Sequence, residues 1–296
     1  MFQQTLKKPV RCTGVGLHSG NPVSMTISPA DANSGIVFIR TDRQGAASVV
    51  PATWDRVVDT RLCTVLGNDQ GTTVGTVEHL MAALAGCRID NAIVALDGPE
   101  VPIMDGSSAP FVALFERVGM AVQAAPRRAI RILKPVAIEE GLKSASFLPD
   151  DLSSYSFDIA FDSAAIARQS REFLLDGNAF RDELSAARTF GFLHEVEALR
   201  KVGLARGGSL DNAIVISGDT VMNEGGLRYT DEFVRHKLLD AVGDLYLAGG
   251  PFIGRFHGSR AGHALNNKLL RALFADADAW CYDTIAAWPA VERAVA

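Results

Sequence analysis

Nowhere in its 296 residues does the chain hold an apolar run long enough to span a bilayer. Its start, "MFQQTLKKPVRCTGVGLHSG", lacks the apolar centre of a secretory leader. Cysteine is scarce: Cys12, Cys63, Cys87 and Cys281 are scattered and form no CxxC pair, which excludes a disulfide framework and a zinc ribbon. Runs of Lys and Arg are missing too, and the net charge is -5, so no surface is built to track a nucleic-acid backbone. What remains is a chain 48% hydrophobic and 21% charged, the balance of a globular protein. These absences together predict a soluble, cytoplasmic protein of one large domain or two ordinary ones.

A break in pattern falls at "GMAVQAAPRRAIR", 119–131. The helical run "SAPFVALFERVG" stops at Gly119, a short Ala/Pro stretch follows, and strand-like "AIRILKPVAI" begins. A boundary near Ala125 divides the chain into 1–125 and 126–296. Each half runs strands, a helix, a strand and a second helix, which predicts two α+β units of related topology, each a sheet against helices. Two segments read as inserts: one around "PATWDRVVDTRLCTVLG", the other "ARTFGFLHEVEALRKVGLARGGSLDNAIVI". The second reads as strand, helix, loop, strand, with Phe192, Val196 and Leu199 on one side of its helix.

The run "DEFVRHKLLDAVGDLYL" predicts a helix with Thr230 as N-cap, acids in its first turn, and Gly249, Gly250 and Pro251 as its stop. Val234, Leu238, Ala241, Val242 and Leu245 form its core stripe. His236, Asp240 and Asp244 stack in a column on roughly the opposite side, one per turn. Taken alone, such a column is the solvated face of a helix.

Other fragments change its weight. "TVEHLMAALAG" places Glu78 beside His79 at a helix start, about 100° apart around the axis. A catalytic zinc takes three protein ligands and leaves one position for water. His79, His236 and Asp240 would supply three, leaving Glu78 as the base. Glu at a helix start is ordinary, and the more specific HExxH is absent. In "GSRAGHALNN", His263 opens a helix among small residues, where a substrate can approach. A helix start lowers its pKa and a carboxylate such as Asp244 raises it. The alternative is a histidine serving only as a local hydrogen-bonding group. In "SAARTFGF", Thr189 offers a hydroxyl and Phe190 a flat apolar face, though the fragment alone is plain strand sequence.

Taken in order, "GVGLHSG", "TVEHLMAAL", "VPIMDGSSAPF", "ARTFGF", "DEFVRHKLLDAVGDLYL" and "GHALNNKLL" resemble the UDP-3-O-acyl-N-acetylglucosamine deacetylases, from about Gln3 to Ala279. Each motif alone is weak; the series is specific. The resemblance implies a two-domain fold of β-α-α-β sandwiches, each half with a small insert. It implies zinc, with Fe²⁺ as the alternative ion, held by His79, His236 and Asp240. It assigns Glu78 as general base, His263 as general acid with Asp244 orienting it, and Thr189 to the oxyanion. Lys237 would contact substrate.

It further implies substrate contacts at Leu62, Cys63, Lys143, Phe161, Phe190, Gly208, Ser209 and Arg260. Lys143, Lys237 and Arg260 are the candidates for the diphosphate. The second insert would form an apolar passage for the acyl chain, lined by Val196, Leu204, Ala205, Leu210, Ala213 and Val215. Cys63 would neighbour the metal without binding it. His18 would lie near the site, while His194 and His257 would be structural or exposed. The partner is an acylated UDP-sugar, with no nucleic acid and no stable membrane insertion. The implied enzyme is monomeric and cytoplasmic or loosely peripheral to the inner membrane, and commits Gram-negative cells to lipid A synthesis.

Three departures stand out. "FDSA" replaces the "FDHP" common in the family, Arg260 stands where lysine is common, and Glu195 where aspartate is expected. Two other functions compete: a metal hydrolase of another acylated sugar nucleotide, and a non-catalytic binder on the same scaffold. A binder needs no base and no acid, so Glu78 and His263 argue for the enzyme.

Overall fold

A computed structural model describes residues 1–176 and 178–285. The tail of the second predicted half, 286–296, lies outside the described residues. The architecture is mixed α+β, with five α-helices and one short π-helical turn among the described residues.

The first half builds a five-stranded sheet whose central strands are Pro22–Pro29, Ala92–Leu96 and Ile36–Arg40. Strand Ala92–Leu96 runs antiparallel to Pro22–Pro29 and parallel to Ile36–Arg40. A parallel neighbour requires a crossover, and helix α1, Glu78–Gly86, lies on it. Helix α2 follows at Ala109–Val118. The second half builds a seven-stranded sheet around Phe252–Ser259. Helix α4, Glu232–Tyr246, and helix α5, His263–Ala275, pack on this sheet.

The two inserts are separate three-stranded sheets. The first joins Val57–Asp59, Val65–Gly67 and Thr73–Val74. The second joins Phe190–Phe192, Ile214–Ser217 and Thr220–Val221, with helix α3, Leu193–Lys201, crossing between its parallel strands.

Three local expectations are corrected. The Ala/Pro stretch is no loose connection: Met120–Pro126 is a strand paired antiparallel with Phe2–Leu6. Alternating half-buried side chains suffice for a ladder even where Ala and Pro lower β-propensity. Thr230 does not cap α4. The flanking residue is Asp231, and its carboxylate binds Arg171 at 2.8 Å and Arg235 at 2.5 Å instead of the helix N–H groups. Tyr246 ends the helix before Gly249.

Third, the solvated-face alternative for the polar column of α4, set beside the metal-site reading, does not hold. Between Glu232 and Tyr246 only Arg235 and Lys237 escape burial. The cause is α1, which packs along α4 so closely that a Cβ on Gly243 would overlap the Glu78 carbonyl. Glycine lets the two backbones meet, and the meeting buries the polar column.

Candidate functional site

The α1–α4 seam brings together residues far apart in the chain. Glu78 and His79 come from the first turn of α1, and His236, Asp240 and Asp244 from successive turns of α4. His79 Nε2 lies 3.6 Å from Asp240 Oδ1, and His236 Nε2 lies 3.3 Å from the same oxygen. Ligand atoms of these three residues all fall within 4.8 Å of one another.

Their surroundings fit a cation. Asp240 Oδ1, the oxygen nearest both imidazole Nε2 atoms, is buried with no hydrogen-bond partner, a costly state for a polar atom unless something satisfies it. His236 Nδ1 lies 3.1 Å from the Ala187 carbonyl, so that nitrogen carries the proton and Nε2 keeps its lone pair for the site. Burial drives the His236 pKa down to about 4, which keeps the ring neutral. Burial opposes the charge on Asp240, but the groups around it, the Lys237 ammonium among them, hold its carboxyl well below the usual range. Two imidazoles and one carboxylate form a donor set suited to Zn²⁺ or Fe²⁺.

A second group flanks the first. His263, at the first position of α5, presents Nδ1 to Asp244 Oδ2 at 2.8 Å and Nε2 toward Glu78 Oε1 at 3.8 Å. Burial opposes a charged ring. Asp244 and Glu78 overcome it and push the His263 pKa up to about 9. Burial raises Glu78 in turn, against the pull of His263 and His79. An acid held protonated thus faces a carboxylate with enhanced basicity across the floor of the seam.

Sequence reasoning missed the groups that orient these side chains. The Thr64 N–H donates to Glu78 Oε2 at 3.0 Å, and its hydroxyl donates to Asp244 Oδ1 at 2.6 Å. Asn266 Nδ2 donates to Asp244 Oδ2 at 2.9 Å. Asn266 lies three residues after His263, and that helical spacing was a usable signal. Thr64 sits in an insert and left none. Arg188 was also missed: its guanidinium and N–H bind buried Glu232 at 2.9–3.2 Å, tying the segment that carries Thr189 to the start of α4.

Gly106 completes that tie. Its carbonyl accepts the Thr189 N–H at 2.8 Å, its φ is +82°, and a Cβ there would overlap the Asn212 carbonyl. Only glycine combines that conformation with that approach.

Most of the remaining expected residues divide among three cavities. Thr189, Phe190, Gly208 and Ser209 line one of about 330 Å³, together with Val196, Ala205, Leu210, Ala213 and Val215. Leu17, Leu199 and Met222 join them without having been expected. Leu204 faces a neighbouring cavity of about 560 Å³ with Cys63. Leu62 and His18 touch both, and the His18 ring nitrogens are buried without partners. Glu195 also lines the first. Burial, then Glu78, pushes the Cys63 thiol up to about 12, so it stays protonated and outside the donor cluster.

Arg260 lines a third, polar cleft of about 480 Å³ with Arg168 and Asp158. Lys143 stands exposed beside its wall residue Leu142. Phe161 is half-exposed and meets Phe190 edge-on at 5.8 Å, and Phe190 lies 6.2 Å from the His236 ring. Lys237 Nζ binds Asp240 Oδ2 at 2.7 Å. His194 is exposed, and His257 is half-buried against Ser156.

Comparison with known proteins returns one family. Residues 3–275 match the family described as UDP-3-O-acyl N-acetylglycosamine deacetylase. A UDP-3-O-acyl-N-acetylglucosamine deacetylase of Phenylobacterium zucineum is 53% identical over 97% of this chain and 98% of its own length. Proteins of the same name from Shewanella sp. and Shewanella frigidimarina are 50% and 51% identical, each over 95% of this chain and 92% of their own length.

Proposed function

The chain belongs to the UDP-3-O-acyl N-acetylglycosamine deacetylase family, and from that membership we propose that it removes the N-acetyl group of a UDP-3-O-acyl-N-acetylglucosamine, releasing acetate and the free amine in lipid A biosynthesis. The observation that carries the reading is the α1–α4 seam, where a three-residue donor set adjoins a carboxylate facing a protonated imidazole.

His79, His236 and Asp240 would hold a Zn²⁺, or an Fe²⁺ in its place. When bound, the ion supplies Lewis-acid polarisation and eases deprotonation of water. The chain's own residues do the rest. Glu78 takes a proton from the attacking water as the new C–O bond forms. Thr189 offers its hydroxyl to the developing oxyanion. His263 delivers its Nε2 proton to the leaving nitrogen as the C–N bond breaks. Asp244, fixed by Thr64 and Asn266, keeps the other ring nitrogen engaged.

The cavity of about 330 Å³ would take the 3-O-acyl chain, with Phe190 between it and the sugar. Leu62 and Cys63 would border the sugar from the first insert. Arg260, Lys143 and Phe161 would meet the nucleotide at the polar cleft. Arg260 in a lysine's place offers the diphosphate a planar fork. We further propose that the enzyme is monomeric and cytoplasmic. Its described cysteines are all free, as a reducing compartment requires, and no helix among the described residues is long and apolar enough to cross a membrane.

The test is acetate release from UDP-3-O-(3-hydroxyacyl)-N-acetylglucosamine by purified protein, after chelation and after zinc is restored. Activity that vanishes and returns with about one equivalent of zinc supports both substrate and ion. No release under any metal condition, from folded protein, sinks the reading.

A further inference from the structure

Glu100 is buried, 6% exposed, and lies outside the metal and acid–base groups. Its carboxylate accepts four hydrogen bonds. The His18 N–H donates to Oε1 at 2.8 Å and the Thr76 hydroxyl to the same oxygen at 2.9 Å. The Ser19 N–H and hydroxyl donate to Oε2 at 3.0 and 2.8 Å. Charge-assisted bonds of this kind are about twice as strong as neutral ones. The carboxylate therefore dictates the path of the loop 16–20.

That loop is one half of a clasp. The Leu17 carbonyl accepts the Gly207 N–H at 3.0 Å, and the His18 carbonyl accepts the Arg206 N–H at 3.3 Å. A Cβ on Gly207 would overlap the Gly16 carbonyl, so the two strands of chain touch backbone to backbone. The far half of the clasp, 204–208, belongs to the second insert. It supplies Ala205 and Gly208 to the apolar cavity, and the near half supplies Leu17 and His18.

We propose that Glu100 is a positioning residue for the acyl passage: through the loop 16–20 it holds the wall formed by the second insert at the spacing an acyl chain requires. The inference rests on reading that cavity as the acyl site. Glu100 touches no expected ligand of the ion, but its Thr76 bond lies two residues before Glu78, so bound zinc and kcat are read alongside acyl binding.

The test compares kcat and KM of wild type and Glu100→Gln on two substrates, one bearing a long 3-hydroxyacyl chain and one without the 3-O-acyl chain. Glutamine keeps the size but presents a donor amide to donors. The expected result is a KM for the acylated substrate raised about tenfold or more, the equivalent of one lost charge-assisted bond. The expected kcat, bound zinc, and kcat/KM on the unacylated substrate all stay within about threefold, since only uniform binding is lost.

Gly207→Ala opens the same clasp without touching Glu100 and should reproduce the pattern. Should Glu100→Gln not fold, Ser19→Ala removes one of the four bonds to Glu100 and should show a smaller shift in the same direction. Equal losses on both substrates in the folded variants would overturn the proposal. A wild-type enzyme that does not favour the acylated substrate would instead overturn the acyl-site reading beneath it.

Discussion

Asp244 Oδ2 lies 2.8 Å from His263 Nδ1, and this contact divides the two ring nitrogens between different tasks. Nδ1 is committed to the carboxylate. Nε2 is left facing Glu78, where it can lose its proton to a substrate.

The alkaline limb of activity should report that contact. His263 has a folded pKa of about 9 against an ordinary 6.5. kcat/KM should therefore fall as pH rises through about 9. The stability sign is the same. A pKa raised by folding contributes stability in full below 6.5, and that stability is lost as pH rises through about 9. Asp244→Asn should move the alkaline limb to lower pH and shrink the melting-temperature difference between neutral and alkaline buffers. A limb that stays in place in this variant excludes His263 as the acid.

Glu78→Gln should cut kcat by about 10²–10⁴-fold, the usual worth of a general base. Bound zinc, measured by elemental analysis, should be unchanged, because Glu78 is not in the donor set. Loss of the metal along with activity would assign Glu78 to binding instead.

Chelation should destabilise the fold as well as silence it. The donors come from two helices, so an ion ties α1 to α4. A ligand at a hundred times its dissociation constant stabilises by about 2.7 kcal/mol. Calorimetry with and without zinc should show a shift of that order in wild type and none in Asp240→Ala. That variant should also be less stable than the wild-type apoprotein, since Lys237 loses its carboxylate.

The apolar cavity should read acyl length. Each buried methylene contributes about 0.8 kcal/mol, or roughly fourfold in affinity. Substrates shortened two carbons at a time should lose affinity by about that factor per carbon until the chain no longer enters the cavity. A flat series would dissociate the cavity from the acyl group.

Gly106→Ala should reduce stability by several kcal/mol, because it combines a strained φ with overlap on Asn212. The drop should appear in denaturant melts, with activity falling through displacement of Thr189.

Periodicity alone reached much of the fold. The alternating runs, the two inserts and every helix that carries an expected site residue were visible in the pattern of apolar positions. The strand 120–126 was not, because its reason for being a strand is Phe2–Leu6, more than a hundred residues away. Within the site, the residues with distinctive chemistry stood out: paired His and Asp on one helix, Glu beside His on another. What stayed hidden was their support. Thr64 and the Ala187 carbonyl are common groups whose importance comes from distance alone. Burial of the polar column was equally unreadable, since it depends on a second helix approaching through Gly243.

That approach has a consequence for biosynthesis. Glu78 and His79 leave the ribosome well before His236 and Asp240 exist. At ordinary synthesis rates the interval is on the order of ten seconds or more. During it the nascent chain holds one of the three donors, His79, too few to retain a cation against cellular competitors. Only when α4 closes on α1 does the full donor set assemble. A chain stopped before α4 therefore lacks the donor set, and retention of an ion reports that α4 has been made and has closed on α1.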